Sequence, residues 1–372
     1  MKQILILDSN YSTTKLCYKF LSDNYLDENG RIKEDLKFSI TIPELNVINS
    51  KIPKEENEKI DTCIFLPRGE NRKGEGGLRT KGYLKFSYKY KNGKWWAIDF
   101  RGNKLFEVNL SEKILKDLEK ERIEELPLVT VVTVVLNNKD GLEKTIKSVI
   151  NQTYPNVEYI VIDGGSTDGT LDVIRRYENY IDYWISESDE GIYDAMNKGI
   201  LLALGKWINF MNSGDCFVNL NVLYKIFIDI YNEVFNYDII YGNTVINYGK
   251  FERIFKAKNV KEIKKGMVFC HQSSFIKTSL HKKKLYNSLK YKLAADFDFF
   301  FTSYLEERFF KKLDTTISKN SIGGESFVKR HQVIREYMSI TNNYLYFLPK
   351  LVLEGGKGFI WKYIIKIFQN NI

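Results

Sequence analysis

The stretch VTVVTVVL at residues 129–136 constrains the fold more than any other part of the chain. Its first seven residues are all β-branched, and such side chains are stiff at χ1 and favour the extended backbone. No polar residue alternates through the run, so both faces must be covered, as in a parallel strand inside an α/β sheet. An amphipathic helix is predicted next at residues 142–152, with Leu142, Ile146, Val149 and Ile150 turned inward. A second buried strand follows at 157–162, a helix at 170–180 and a short strand at 183–186. A helix at 192–204 and a strand at 206–211 complete the alternation. Strands and helices in turn predict an open, mostly parallel α/β sheet. Polar residues collect just after the strand ends, where such sheets bind ligands.

The fingerprints of other α/β families are absent. There is no GxxxxGK[ST], no GxGxxG after a strand and no GxSxG. Four scattered cysteines without a CxxC pair, and only three histidines, argue against structural zinc and for free thiols in a reducing compartment. No apolar run approaches the ~18 residues of a membrane-spanning helix. Asp8 comes too early for a signal peptide, so the expected location is cytoplasmic. The net charge of +9 points to an anionic partner: nucleic acid, a phosphorylated molecule or an acidic membrane surface.

The chain before residue 127 reads differently, and length alone suggests two or three domains. Polar residues 27–57 lack periodicity, and the basic, Gly-rich GENRKGEGGLRTKG follows at 69–82. Strands at 83–90 and 95–100 around a Lys-Asn-Gly-Lys turn predict a hairpin, and residues 111–125 a charged helix ended by Pro127. The boundaries read from this are an accessory region at 1–126, an α/β domain at 127–330 and a helical tail at 331–372. In the tail, residues 359–368 are apolar except for Lys362 and Lys366, which share one helical face. That pattern suits a helix lying on an anionic inner leaflet, one docked on protein, or a contact between two copies of the chain.

Carboxylates stand at several strand ends: Asp163, Asp189, Glu190, Asp194 and Asp215, with Asp296 and Asp298 opening a late helix. Aspartates joined by water and phosphate oxygens suit Mg²⁺ or Mn²⁺, whereas each alone serves equally as a helix cap. Residues 129–170, ending YIVIDGGSTDGT, together with ISESDEGIYDAMNKGILLALGKWINFMNSGD at 185–215, resemble the bacterial family 2 glycosyltransferases of the GT-A fold. The resemblance covers about residues 128–323 and is closest to enzymes of surface-polysaccharide synthesis, such as capsule or lipopolysaccharide.

The resemblance implies a nucleotide-sugar site in the first half of the sheet. Thr133, Val135 and Asn137 match positions that pack the base and ribose, and Asp163 the acid that accepts a hydrogen bond from the base. A carboxylate there favours the uracil N–H and hence a UDP-sugar. Asp189 matches a further polar contact to nucleotide or sugar. Asn197 matches an asparagine in the helix before the metal strand, or is an exposed helix residue. Asp215 matches the metal-binding acid of the DxD-type motif, although Asn212-Ser213-Gly214-Asp215 leaves one carboxylate where many relatives carry two or three. His271 matches a further metal or diphosphate ligand, and Asp296 the catalytic base of an inverting displacement. The implied partners are a divalent cation, a nucleotide-sugar donor and a glycan or lipid-linked acceptor, with nucleic acid not expected. Two rival readings stand beside this one. A nucleotidyltransferase would use the same acids for metal-assisted phosphoryl transfer, and a noncatalytic glycan- or nucleic-acid-binding module would use residues 69–79 as its basic contact.

Overall fold

Hydrophobic burial on both faces is what the strand at Val129–Val135 shows: all seven residues are buried. The computed structural model of the chain describes residues 2–3, 11–19, 27–28, 31, 64–67, 71–99, 102–322, 324 and 328–355. Its main elements, in chain order, begin with strands β1 (Gly74–Gly76), β2 (Ser87–Lys91), β3 (Lys94–Ile98) and β4 (Lys104–Asn109), then helix α1 (Glu112–Lys120). The α/β part follows with β5 (Val129–Val135), α2 (Lys139–Ile150), β6 (Val157–Asp163), α3 (Thr170–Arg176), β7 (Tyr183–Ser186), α4 (Ile192–Leu202) and β8 (Trp207–Phe210). Beyond these lie β9 (Cys216–Phe217), β10 (Ile239–Asn247), β11 (Glu252–Phe255), β12 (Ser274–Lys277), α5 (Ala295–Leu305), β13 (Phe310–Ser321), α6 (Arg330–Thr341) and α7 (Tyr344–Gly355).

Ten strands form the central sheet, in the order β9-β13-β10-β12-β8-β5-β6-β7-β1, with β11 paired to β10. Its middle, β8-β5-β6-β7, is parallel throughout. This is the α/β architecture expected from the strand–helix alternation. The parallel ends of β5, β6 and β7 therefore open on one side, and the acidic turns stand there. β1 adds antiparallel at one flank, and the other is mixed, with β12 antiparallel to β8 and β10, and β13 parallel to β10.

Residues from before position 127 are part of this sheet. β1 pairs antiparallel with β7 and closes its edge. Behind β1, the Arg79 guanidinium enters the core, 2.6 Å from the Glu158 carboxylate on β6 and 2.8 Å from the Ile64 carbonyl. Glu158 also accepts from Thr130 Oγ1 at 2.5 Å and from the Leu204 N–H at 2.9 Å, so its charge is fully partnered. Lys85 is likewise buried, donating to Asp182 and to the Val157 carbonyl, each at 2.7 Å.

That burial explains a difference from the predicted hairpin. The first strand, expected at 83–90, is interrupted where Lys85 dips into the core; Tyr83–Leu84 pairs with Tyr18–Lys19, while β2 and β3 form the hairpin. The turn is the expected Asn92-Gly93, both at positive φ, which Asn and Gly tolerate best. The helix expected to reach residue 125 stops at Lys120, because Arg122 turns to φ +53° and Glu125–Leu126 joins β2 as a strand.

At the other end, α6 and α7 form a hairpin with a small core of Ile334, Met338, Phe347 and Leu351. The amphipathic helix predicted at 359–368, and the strand predicted at 4–7, lie outside the described residues. Among the described residues no helix is long and apolar enough to cross a membrane.

Candidate active site

The first cluster is built where β6 and β7 finish. Asp163 is the last residue of β6 and is fully buried. One carboxylate oxygen accepts from Ser166 Oγ and the other from Ser186 Oγ, both at 2.5 Å. The carboxylate thus ties the turn after β6 to the end of β7. Gly164 follows, and a Cβ there would stand 2.5 Å from Asp189 Oδ2. The absence of a side chain at 164 is what lets Asp189 lie over the turn. Asp189 accepts from the Gly191 N–H at 2.9 Å, and partial burial raises its pKa above the usual carboxylate range.

Asn137, at φ +50°, joins the same cluster: its N–H donates to Ser166 Oγ at 2.7 Å and its Oδ1 accepts from the Thr167 N–H at 2.8 Å. Val135 ends β5 beside it, its carbonyl accepting from Gly164 at 2.9 Å. Thr133 is placed elsewhere. Its side chain is fully buried within the sheet and donates to the Met211 carbonyl at 2.8 Å.

The second cluster is the turn after β8. Asn138, the N-cap of α2, donates to the Ser213 carbonyl at 3.2 Å, and Thr145 Oγ1 donates to the Asp215 carbonyl at 2.7 Å. These bonds fix the turn against α2. Gly214 sits at φ +99°, where a side chain would be strained, so an acid cannot simply be restored there. Asp215 Oδ2 accepts from Gln272 at 2.7 Å and Oδ1 from the Ser321 N–H at 3.1 Å. Burial pushes its pKa up to about 6 despite these donors.

His271 bridges this turn to the start of α5. Its Nε2 lies 3.3 Å from Asn212 Nδ2, and its Nδ1 lies 3.3 Å from Asp296 Oδ2. Asp296 stands in the first turn of α5 and also accepts from the Tyr193 hydroxyl at 2.8 Å. Burial works against its charge, but the bonds from His271 and Tyr193 outweigh it and hold the pKa below the usual carboxylate range.

The structure therefore brings Asp215, His271 and Asp296 into one connected chain, and Asp163, Asp189 and Asn137 into another. Asn197 is committed elsewhere, with Oδ1 and Nδ2 clasping the backbone N–H and carbonyl of Tyr286, each at 2.9 Å. Three contributors had no signal in the sequence. Tyr193 lies in the first turn of α4, Gln272 sits beside the noted histidine, and Glu336 lies on α6. The Glu336 carboxylate accepts from the N–H groups of Lys292, Leu293 and Ala294 at 2.8–3.1 Å, holding the segment that leads into α5. In the described part of the basic stretch, residues 71–79, both arginines are taken up by carboxylates. Arg79 is 1% exposed in its ion pair, and Arg72 is 6% exposed against Glu75 and Glu187.

An open α/β sheet with two polar clusters beyond its parallel strand ends is the arrangement that the sequence resemblance implies. Residues 130–309, just under half of the chain, match the family model described as Glycosyl transferase family 2. It is 45% identical over 98 residues to an uncharacterized glycosyltransferase of Mycobacterium tuberculosis, covering 26% of this chain and 37% of that one. It is 28% identical over 184 residues to a PGL/p-HBAD biosynthesis glycosyltransferase of Mycobacterium bovis, covering 46% of this chain and 68% of that one. The first of these matches thus spans little more than a third of the relative's length. Among solved structures, TarS of S. aureus in complex with UDP-GlcNAc is 20% identical with a TM-score of 0.47, covering 58% of this chain and 67% of that one.

Proposed function

We propose that the domain transfers a sugar from a nucleotide-diphosphate donor, UDP in the first instance, to a hydroxyl of a glycan or lipid-linked acceptor, with inversion. The observation that carries this reading is the Asp296 carboxylate, held ionised between Tyr193 and His271 and joined through His271 and Asn212 to the turn of Asp215. It puts a proton acceptor beside the cluster assigned to the leaving group.

In the reaction, the acceptor oxygen forms a bond to the anomeric carbon as the bond from that carbon to the diphosphate oxygen breaks. The hydroxyl proton passes to Asp296, whose low pKa keeps it unprotonated at neutral pH. His271 and Tyr193 hold the carboxylate in one orientation. On the donor side, Asp189 and the Asp163–Ser166 turn take the base, for which a carboxylate favours an N–H donor such as that of uracil.

The residues fit a divalent cation of the Mg²⁺ type, which takes few protein carboxylates and fills its shell with phosphate oxygens and water. Asp215 supplies the carboxylate, and Asn212 Oδ1 is buried without a hydrogen-bond partner. When bound, such an ion offsets the charge on the departing diphosphate.

A panel of nucleotide sugars, read by release of nucleoside diphosphate, tests the proposal. Release from one or more UDP-sugars is expected. Binding of no nucleoside diphosphate by the folded protein would overturn it.

A further inference from the structure

The segment before residue 127 reaches the nucleotide end of the site through one side chain. Lys73 precedes β1, and its backbone N–H donates to the Ser186 carbonyl at 2.7 Å. Its ammonium crosses to the turn after β6, 2.6 Å from the Gly165 carbonyl and 3.4 Å from the Ser166 carbonyl. One residue therefore grips both segments whose serines hold Asp163. Its neighbour Arg72 adds a second anchor, donating to Glu187 at 2.9 Å, while Glu187 N–H donates to the Asp163 carbonyl at 3.0 Å.

The turn needs such a hold. Gly164 and Gly165 carry no side chain, and Gly165 sits at φ +84°, so the backbone there has more freedom than any other residue pair allows. Asp163 is internal and fixes the turn only at Ser166. The ammonium of Lys73 fixes it from outside, at the carbonyls of Gly165 and Ser166. Lys73 is itself exposed, so its bonds add little to the core and act on the shape of this loop.

We propose that Lys73, which lies outside the family-matched domain, is a positioning residue for the donor nucleotide, acting through the Gly164–Gly165–Ser166 turn. This rests on the donor site proposed above. It gives the region before residue 127 a role in donor affinity.

The test compares the full chain with Lys73→Met and Lys73→Arg, measuring UDP binding by calorimetry and donor KM and kcat by UDP release. Loss of a charge-assisted hydrogen bond at an exposed site predicts a rise of about five- to tenfold in both the UDP Kd and the donor KM for Lys73→Met. The melting temperature and kcat are expected to stay at the wild-type values, and Lys73→Arg to recover most of the affinity. Unchanged Kd and KM in Lys73→Met would overturn the proposal, as would a loss confined to kcat. Wild-type protein that binds no UDP would instead bring down the donor site itself, and this inference with it.

Discussion

The guanidinium of Arg79 lies 2.6 Å from the carboxylate of Glu158, with both side chains almost wholly buried. Residue 79 belongs to the segment before the family-matched domain, and residue 158 to the second parallel strand of its sheet. Removing one partner leaves a buried charge uncompensated, which costs about 3–5 kcal/mol. Arg79→Ala is therefore expected to lower stability by about that amount in urea denaturation. The double variant Arg79→Met, Glu158→Gln is expected to recover part of it. An Arg79→Ala protein as stable as wild type would mean that the segment is only loosely associated with the sheet.

Asp296→Asn removes the proton acceptor while keeping shape and hydrogen bonding. General-base catalysis contributes about 10²–10⁴-fold, so kcat is expected to fall by at least about a hundredfold. UDP affinity is expected to be unchanged, since the residue faces the acceptor side. Full transferase activity in this variant would refute the assignment.

Glu336 holds the segment leading into α5 from another helix, accepting three backbone N–H groups just before its first turn. Glu336→Ala is expected to cost about 1–3 kcal/mol in urea denaturation, the usual worth of hydrogen bonds to a charged group. It should also lower kcat without raising donor KM, because the first turn of α5 carries Asp296. Steady-state kinetics on the folded variant checks both statements, and Glu336→Gln should fall between the two.

His281 makes stability depend on pH in a definite direction. It is fully buried, packed on Phe299 and edge-on to Tyr286, with Nδ1 3.1 Å from the Lys284 carbonyl and Nε2 without a hydrogen-bond partner. Burial lowers its pKa from 6.5 to about 4. Between those values the unfolded chain binds a proton that the folded chain refuses. Stability therefore falls as pH drops from 6.5 to about 4, and this residue has no effect above that window. The full effect is about 3 kcal/mol at 1.36 kcal/mol per pKa unit. Denaturation curves at pH 7 and pH 5 should show a smaller loss for His281→Phe than for wild type.

Chelation bears on Asp215. With a divalent cation at the diphosphate, EDTA is expected to weaken UDP-sugar binding at least about tenfold, and Mg²⁺ or Mn²⁺ to restore it. Equal binding with and without the ion would leave Asp215 as a hydrogen-bonding residue tied to Gln272 and Ser321.

The sequence by itself determined the parallel centre of the sheet and the turns at its strand ends. A run of seven β-branched residues has one buried solution, and helices of 3.6-residue period on either side cover it. The acids at 163, 189 and 215 were legible because they stand at or just after strand ends, and Asp296 because it opens a late helix. Which of their oxygens are already spent was not legible. Ser166 and Ser186 occupy Asp163 from two different segments, and Gln272 and Ser321 occupy Asp215 from two others. Nor did local pattern reveal that Arg79 and Lys85 are core residues, since a charged side chain reads as solvent-facing until its partner is placed. Only the tertiary structure decided these points. A buried charge is tolerable through a partner distant in sequence, and hydrogen bonding between strands brings that partner within reach.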